Sequence, residues 1–207
     1  LIFGICQGVT GRDVVKAVFP ISSNNYWFVS VYMGLSLLMP FAGMLAARLT
    51  KAQYRYLLVL LALFFSVNHL IFRVNTYGVY TGRELPWFLF LALLAGYVKL
   101  HTRPDRRYFW YGLAGYVISS LAVLASVYLS VQLQLEDIGY FMNYNSPLAL
   151  TATYSLFLCV KNMPWRKSRL DGAILKIAGA AFGIYLIHDN YLIRYLVWDT
   201  FRASKVA

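Results

Sequence analysis

Long apolar runs separated by short basic segments are the feature that most restricts the fold of this chain. Residues 56–72 and 108–131, for example, contain no charged side chain. A helix needs about 20 consecutive apolar residues to cross a bilayer, whereas membrane β-barrel strands alternate apolar and polar residues over about ten positions. Only 13% of the residues are charged, against about 25% in soluble domains. The chain is therefore predicted to be an all-α integral membrane protein, a polytopic helical bundle.

About six full transmembrane helices and an N-terminal helix stub are predicted, forming a single transmembrane domain over residues 1–207. The stub covers 1–6, and the spans are 26–47, 56–72, 87–100, 108–131, 147–160 and 173–198. Pro86 and Pro147 stand where helices should begin, because a residue in the first turn needs no backbone N–H donor. Ser146 supplies an N-cap oxygen. Pro40 lies inside the first span and should kink it.

The distribution of Lys and Arg predicts which connections face the cytoplasm. Their counts are three at 48–55, four at 99–107 and five at 161–176, against two at 10–25, two at 73–85 and none at 132–146. Cytoplasmic loops carry the excess of basic residues, so the first three connections are predicted to be cytoplasmic. The first of these connections, 48–55, is predicted to be a loop that carries Arg48, Lys51 and Arg55. The same rule accounts for the net charge of +11, so no nucleic-acid partner is expected.

Polar residues follow the apolar part of the last span. His188, Asn190 and Arg194 come directly after residues 177–186, which carry no charge. A charge in hydrocarbon costs about 2.5–3.5 kcal/mol on insertion scales, so such groups should face a protein interior or a wet cavity. His188 could act as a general acid or base, because imidazole titrates near neutral pH. A hydrogen bond between helices is the alternative. The stretch predicts one wall of a polar pocket.

A second polar group lies near the end of the second span. Asn68, His69 and Arg73 occur there, and His69 and Arg73 share one helical face. A binding role and a solvated helix terminus are equally good explanations. Asn143 and Asn145 lie in a predicted outer loop, where ordinary loop polarity is favoured over contact with a substrate.

A cationic cluster lies on the predicted inner face. Its members are Lys99, His101, Arg103, Arg106 and Arg107. Arginine binds phosphate through two parallel hydrogen bonds, so the cluster could hold the phosphates of a cytosolic donor. The charge bias of cytoplasmic loops explains it as well.

The chain has no nucleophile-elbow, P-loop, HExxH or dinucleotide motif, and Cys6 and Cys159 have no metal-binding spacing, so no metal and no bound cofactor are predicted.

Four stretches resemble one known family when their order and spacing are taken together. They are FPISSNNYWFV at 19–29 continuing to LLMPF at 37–41, WFL through GYVKLH at 87–101, YNSPL at 144–148, and FGIYLIHDN at 182–190 followed by Arg194 and Trp198. In these stretches the chain resembles the acyltransferase 3 family of integral membrane acyltransferases, especially the branch found with bacterial capsule and exopolysaccharide genes.

The resemblance implies an all-helical, multi-pass protein of the bacterial inner membrane. It implies transfer of an acyl group, usually acetyl from acetyl-CoA, to a hydroxyl of a cell-surface or lipid-linked polysaccharide. The partners would be the bilayer, acyl-CoA as donor substrate and the glycan acceptor. His188 and Asn190 would be polar groups of the catalytic pocket, with Arg194 orienting them or binding an anion. Tyr26 and Trp27 would shape the acceptor entrance.

The chain departs from the family pattern at its N-terminus. The family's first helix carries an arginine and a histidine, the histidine being the proposed catalytic base, and this chain begins at Leu1 with the stub. We therefore expect the C-terminal portion of a larger acyltransferase domain, without the principal base, whose activity on its own is in question. A glycan transporter or flippase, which also needs polar groups at mid-membrane, and a catalytically silent membrane fragment are the alternatives.

Overall fold

The computed structural model describes residues 26–72, 77–135, 137–164 and 171–188. Within these ranges the chain is helical and contains no β-strand. The helices are α1 (Trp27–Arg48), α2 (Lys51–Ala62), α3 (Asn68–Phe72), α4 (Leu85–His101), α5 (Arg106–Gln132), α6 (Pro147–Lys161) and α7 (Asp171–His188). A π-helical turn, Leu63–Val67, joins α2 to α3, and a 3₁₀ turn, Tyr140–Met142, precedes α6. The predicted all-α class is confirmed.

Three helices among the described residues are long and apolar enough to cross a membrane. They are Trp27–Arg48, Lys51–Phe72 (which includes the π turn) and Arg106–Gln132, while Leu85–His101 is apolar but shorter. Large apolar side chains such as Leu37, Ile118 and Leu124 are exposed on them. Extensive exposed apolar surface is a liability in water but not in hydrocarbon, where the backbone polar groups of a helix are bonded internally. The protein is a membrane protein.

The chain divides into two compact units. The described residues of the first unit are 26–30 and 171–188, and those of the second are 31–72, 77–135 and 137–164. The predicted site residues Arg73, Asn190 and Arg194 lie outside the described residues, as do the stub and Cys6.

The connection after α1 is shorter than the predicted loop. Lys51 and Arg55 lie in α2, so the prediction that they belong to a loop with Arg48 is wrong. The reason is a capping box. The Gln53 amide donates to Thr50 Oγ1 at 3.3 Å, and the Thr50 amide donates to Gln53 Oε1 at 3.0 Å. These bonds satisfy two N–H groups that a helix start otherwise leaves unpaired, so the helix begins at once.

The core of the second unit joins α2 to α4. Its buried side chains are Tyr54, Leu58, Val79, Trp87, Phe90 and Leu93. The Tyr54 hydroxyl donates to the Leu93 carbonyl at 2.8 Å, and a Cβ on Gly96 would lie 2.9 Å from that hydroxyl. A buried tyrosine needs such a partner, and the glycine leaves room for it.

Helices α5 and α6 pack through small residues. A Cβ on Gly112 would lie 2.6 Å from both the Cys159 nitrogen and the Ser155 carbonyl oxygen. Backbones approach this closely only where side chains are absent or small, which is the usual basis of helix association in lipid. Cys159 is buried and free, as its apolar surroundings suggest.

Candidate functional site

Two groups of polar and aromatic side chains lie at opposite ends of the α2–α4 pair in the second unit. The His69 cluster follows α2 and consists of Ser66, His69, Tyr80, Tyr140 and Asn145. The His101 cluster lies where α2 begins and α4 ends, and consists of Tyr54, Tyr97, His101, Thr102 and Lys161. Both are built from residues far apart in sequence.

His69 is 7% exposed and is enclosed by aromatic rings. Its ring stacks on Tyr140 with centroids 5.6 Å apart and planes 24° apart, and it meets Tyr80 edge-on at 6.2 Å. Its Nδ1 is buried and has no hydrogen-bond partner within the part of the chain that the structure describes. Of the two explanations left open for His69, a solvated helix terminus is wrong, because the loops cover the ring.

Asn145 is the most buried polar residue of the cluster, with an exposed fraction of 0%. Its Nδ2 donates to the Phe65 carbonyl at 3.2 Å and to the Tyr80 carbonyl at 3.4 Å. Its Oδ1 is buried and has no partner among the described residues. The expectation of an ordinary polar loop residue is therefore wrong for Asn145, which is an interior residue.

Ser66 lies in the π turn and is 1% exposed. In this turn the Asn68 amide donates to the Leu63 carbonyl, five residues earlier. Turns of this kind are rare and often occur at functional sites. Ser66 Oγ, like His69 Nδ1 and Asn145 Oδ1, is buried without a hydrogen-bond partner in the described ranges. An unsatisfied buried polar group costs about 1–3 kcal/mol, so each such group calls for an explanation.

Two loops hold the His69 cluster in place. The Glu84 carboxylate accepts hydrogen bonds from the amides of Thr81 at 3.2 Å and Gly82 at 2.9 Å. Gly82 has a φ of +81°, and a Cβ there would lie 2.5 Å from the Asn145 nitrogen. The Tyr144 amide donates to the Thr81 carbonyl at 3.0 Å. The loop that precedes α4 is therefore locked against the segment that precedes α6.

The start of α6 is as predicted. Ser146 Oγ accepts from the Ala149 amide at 3.1 Å, and Pro147 occupies the first turn. The same hydroxyl donates to the Phe141 carbonyl at 2.9 Å, which ties the cap to the 3₁₀ turn. Asn145 immediately precedes this cap, so its position is set by a rigid helix start.

His101 lies against aromatic rings rather than among the exposed cations. Its ring centroid is 4.9 Å from that of Tyr97 and 5.9 Å from that of Tyr54. Its Nε2 is buried and has no hydrogen-bond partner among the residues described. The other members of the predicted donor-binding cluster are exposed: Lys99, Arg103, Arg106 and Arg107. The cationic surface thus consists of these four exposed side chains, whereas His101 is half-buried.

Lys161 closes the C-terminal end of α4. Its Nζ donates to the carbonyls of Val98 at 2.5 Å and Thr102 at 3.0 Å, and to Thr102 Oγ1 at 2.7 Å. An ammonium group has three donors, so this set of bonds uses all of them. The role was not predicted, although a lysine near the end of a helix is a common partner for helix-terminal carbonyls.

An apolar groove of about 520 Å³ lies between α1, α4 and α6, and its lining includes Lys99 and Lys161. Its other lining residues are Met39, Ala92, Ala95, Gly96, Phe157 and Val160. Lys161 Nζ is occupied by its bonds to Val98 and Thr102, whereas Lys99 is the exposed cation in the lining of the groove. The Asp105 amide donates to Asn162 Oδ1 at 3.0 Å, which ties the α4–α5 connection to the end of α6.

In the first unit the structure places the predicted acceptor residues Tyr26 and Trp27 at the start of α1, where both are half-buried. The Phe28 ring packs edge-on against Tyr185 of α7 with centroids 5.3 Å apart. His188 is the last described residue of α7, and its side chain, like Asn190 and Arg194, lies outside what the structure describes. The predicted pocket on the last span therefore stays a prediction.

The structure brings some predicted residues together and adds others. Asn68 is half-buried beside His69 in α3, whereas Ser66, Tyr80 and Tyr140 surround His69 without having been predicted. Of these three residues, the sequence offers a signal only for Tyr80 and Tyr140, whose side chains are aromatic. Among the described residues no group of three or more His, Cys, Asp or Glu side chains could hold a metal ion.

Comparison with known proteins gives one match. A family model described as an acyltransferase domain matches residues 1–207. No curated protein matches the chain, and no solved structure does. The family match covers both units and both polar clusters, so it does not rest on a single helix or motif.

Proposed function

Because the chain belongs to the acyltransferase 3 family, we propose that this membrane acyltransferase transfers an acetyl group from acetyl-CoA to a hydroxyl group of a cell-surface or lipid-linked polysaccharide. The observation that carries the proposal is the family match over the whole chain. Two polar regions at opposite ends of the α2–α4 pair support it, because a donor from one side of the membrane and an acceptor from the other need separate approaches.

The chemistry is direct acyl transfer. A base removes the proton of the acceptor hydroxyl as its oxygen attacks the thioester carbonyl, the C–S bond breaks, and the CoA thiolate leaves and takes up a proton. Hydrogen-bond donors stabilise the charge that develops on the carbonyl oxygen. We propose His188 and Asn190 as polar groups of this pocket, with Arg194 orienting them or binding an anion. Acyl-CoA is a substrate in this scheme, and no bound cofactor takes part.

The donor side is proposed to be the exposed cationic surface. Lys99, Arg103, Arg106 and Arg107 are solvent-accessible, and arginine forms bidentate hydrogen bonds with phosphate. His101 supports the end of α4 by packing edge-on against Tyr54 of α2, with ring centroids 5.9 Å apart. The basic connections would face the cytoplasm of a bacterium, in a multi-pass protein of its inner membrane.

The acceptor side is proposed to include the opposite end of the second unit, and Asn68, His69 and Arg73 are proposed to contact the glycan. Tyr26 and Trp27, in the first unit, are proposed to shape the acceptor entrance. Aromatic residues are common at the membrane–water boundary. The burial of His69 beneath two loops supports a specific contact over a merely solvated helix end.

The test is a transfer assay in membranes that contain the protein. Radiolabelled acetyl-CoA and the capsule or exopolysaccharide fraction are supplied together, and label in the glycan is measured. Acetylated glycan supports the proposal, with membranes lacking the protein as the control. Movement of glycan across the membrane without acetylation would instead indicate a transporter or flippase. If neither acetylation nor movement of glycan is detected, the protein is a catalytically silent membrane protein.

A further inference from the structure

Three polar atoms of the His69 cluster are buried without partners among the described residues, and nothing in the proposed donor or catalytic groups uses them. They are Ser66 Oγ, His69 Nδ1 and Asn145 Oδ1. Each side chain is more than nine-tenths buried. We propose that these three atoms form a binding site for a single hydroxyl group, called here the hydroxyl site.

The three side chains lie on neighbouring structure. Ser66 and His69 are three residues apart on one continuous helical stretch and so share a face. Asn145 bonds to the carbonyl of Phe65, the residue before Ser66. It also bonds to the carbonyl of Tyr80, whose ring meets His69. Asn145 is therefore held next to the stretch that carries Ser66 and His69, and we infer that the amide oxygen, the hydroxyl and the imidazole nitrogen face one another in the interior.

The chemistry of the three atoms fits a hydroxyl better than an ion. Asn145 Oδ1 only accepts hydrogen bonds, a serine hydroxyl both donates and accepts, and a neutral imidazole nitrogen does one or the other. A hydroxyl group can donate to Asn145 Oδ1 while it accepts from Ser66 or from His69 Nδ1. An anion would be repelled by the amide oxygen, and a cation would find no carboxylate among the three.

Two sources can supply this group. One is an internal water, which in proteins makes about three hydrogen bonds to otherwise unpaired groups. The other is a hydroxyl of the acceptor glycan, and that source alone rests on the proposed function. Both satisfy the same three atoms, so the occupied site is defined by its chemistry, and the source is decided by experiment.

The test exploits the sign of a stability change. If the site is occupied, Ser66→Ala removes a hydrogen bond to its occupant and should lower the apparent Tm of the purified protein by about 2–4 °C. If the site is empty, the same change removes an unpaired buried hydroxyl and should leave the Tm unchanged or raise it. Ser126→Ala is the matched control, because Ser126 Oγ bonds only to the Val123 carbonyl of its own helix at 2.7 Å among the hydrogen bonds that the structure describes.

A second variant keeps the test independent of the serine. His69→Phe preserves a ring that can stack on Tyr140 but removes Nδ1, and it should lower the Tm in the same direction. The proposal is overturned if both variants match or exceed the Tm of the wild type, corrected by the Ser126→Ala control, both without and with added glycan. The Tm measurement needs no enzymatic activity, so it tests the hydroxyl site even if acetyl transfer is never detected.

Activity and ligand binding then identify the source. If the acceptor supplies the hydroxyl, added glycan should raise the Tm of the wild type more than that of Ser66→Ala, and Ser66→Ala should raise the acceptor KM about tenfold, about 1.4 kcal/mol. The KM for acetyl-CoA should stay the same. If water supplies it, the Tm should fall without any change in the acceptor KM. Either result supports the site.

Discussion

The side-chain amide of Asn145 donates a hydrogen bond to the carbonyl of Phe65, 80 residues earlier in the chain. This bond joins the residue before the α6 cap to the π turn that separates α2 from α3. In the π turn the backbone bonding is shifted by one residue, as in the bond from the Asn68 amide to the Leu63 carbonyl, and the Phe65 carbonyl accepts the side-chain bond from Asn145. The interior of the His69 cluster is therefore held by a side chain that sequence places in a loop.

Replacing Asn145 should destabilise the protein. Asn145→Ala removes the two hydrogen bonds that its side chain donates to the Phe65 and Tyr80 carbonyls, and each such bond contributes about 0.5–1.5 kcal/mol. The apparent Tm, measured by intrinsic fluorescence in detergent, should fall by several degrees. Asn143→Ala is the control, since Asn143 is only half-buried, and it should change the Tm little. Equal Tm values for the two variants would contradict the role given to Asn145.

Lys161 should matter for stability rather than for donor binding. Lys161→Met removes the bonds to the Val98 and Thr102 carbonyls and leaves the end of α4 uncapped. Hydrogen bonds from charged groups contribute about 1.5–3 kcal/mol each, so a clear loss of Tm is expected. Lys99→Met, at the other lysine of the groove, should leave the Tm close to that of the wild type. A stable Lys161→Met variant would show that α4 ends equally well without the ammonium group.

The exposed arginines should determine the affinity for acetyl-CoA. The double variant Arg106→Ala and Arg107→Ala should raise the KM for acetyl-CoA about tenfold or more, because bidentate phosphate contacts are lost. The N-cap bond from the Arg107 backbone amide to Asp105 Oδ1, at 2.8 Å, does not depend on the arginine side chain. Helix α5 should therefore keep its start.

The control for this prediction is a basic pair on either side of the α1–α2 connection. Arg48 and Arg55 are also exposed, and replacing both with alanine should leave the KM for acetyl-CoA unchanged while removing the same charge. If the two double variants raise the KM equally, the effect comes from net charge and not from a donor site.

The close approach of α5 and α6 predicts opposite effects for two glycine substitutions. In Gly112→Ala the new methyl group would lie 2.6 Å from backbone atoms of α6, which cannot move aside as a side-chain end can, so the helices must separate. A cost of about 1–3 kcal/mol is expected, as for overpacked cores. At Gly43 nothing among the described residues lies within 4 Å of the added atom, so Gly43→Ala should be neutral or stabilising. Tm measurements on both variants test the sign.

His188 should be required for catalysis. His188→Ala should lower kcat for acetyl transfer by about 100-fold or more, as the loss of a general acid or base usually does. The neighbouring Ile187, which is exposed, provides the control, and Ile187→Ala should retain activity. An acetylation rate at the wild-type level in His188→Ala would remove this residue from the proposed pocket, even though the family assignment would stand.

Several helix starts could be predicted because the signals are local. Ser146 and Pro147 mark the start of α6, and Pro86 lies in the first turn of α4. The capping box of Thr50 and Gln53 is an equally local signal, and it outweighs the loop that the basic residues favour. Loop charge indicates which side of a membrane a segment faces, but it does not indicate where a helix begins.

The candidate site could be predicted only in part. Asn68 and His69 drew attention because polar residues near the end of an apolar run are unusual, and the structure places His69 in the interior. The sequence around Asn145 favours an ordinary loop, because short sequence patterns do not show what will cover a residue. The π turn had no recognised signal, since the run from 56 to 72 is equally compatible with a regular helix.

The sequence by itself determined that this is an all-α membrane protein of one acyltransferase family, because helix-length apolar runs have few alternatives in lipid and the family pattern extends along the chain. Only the tertiary structure decided which polar groups are buried together. Burial of His69 depends on Tyr140, and the position of Asn145 depends on Phe65, contacts across some seventy to eighty residues. Such contacts arise from how helices and loops pack, and no local pattern specifies them.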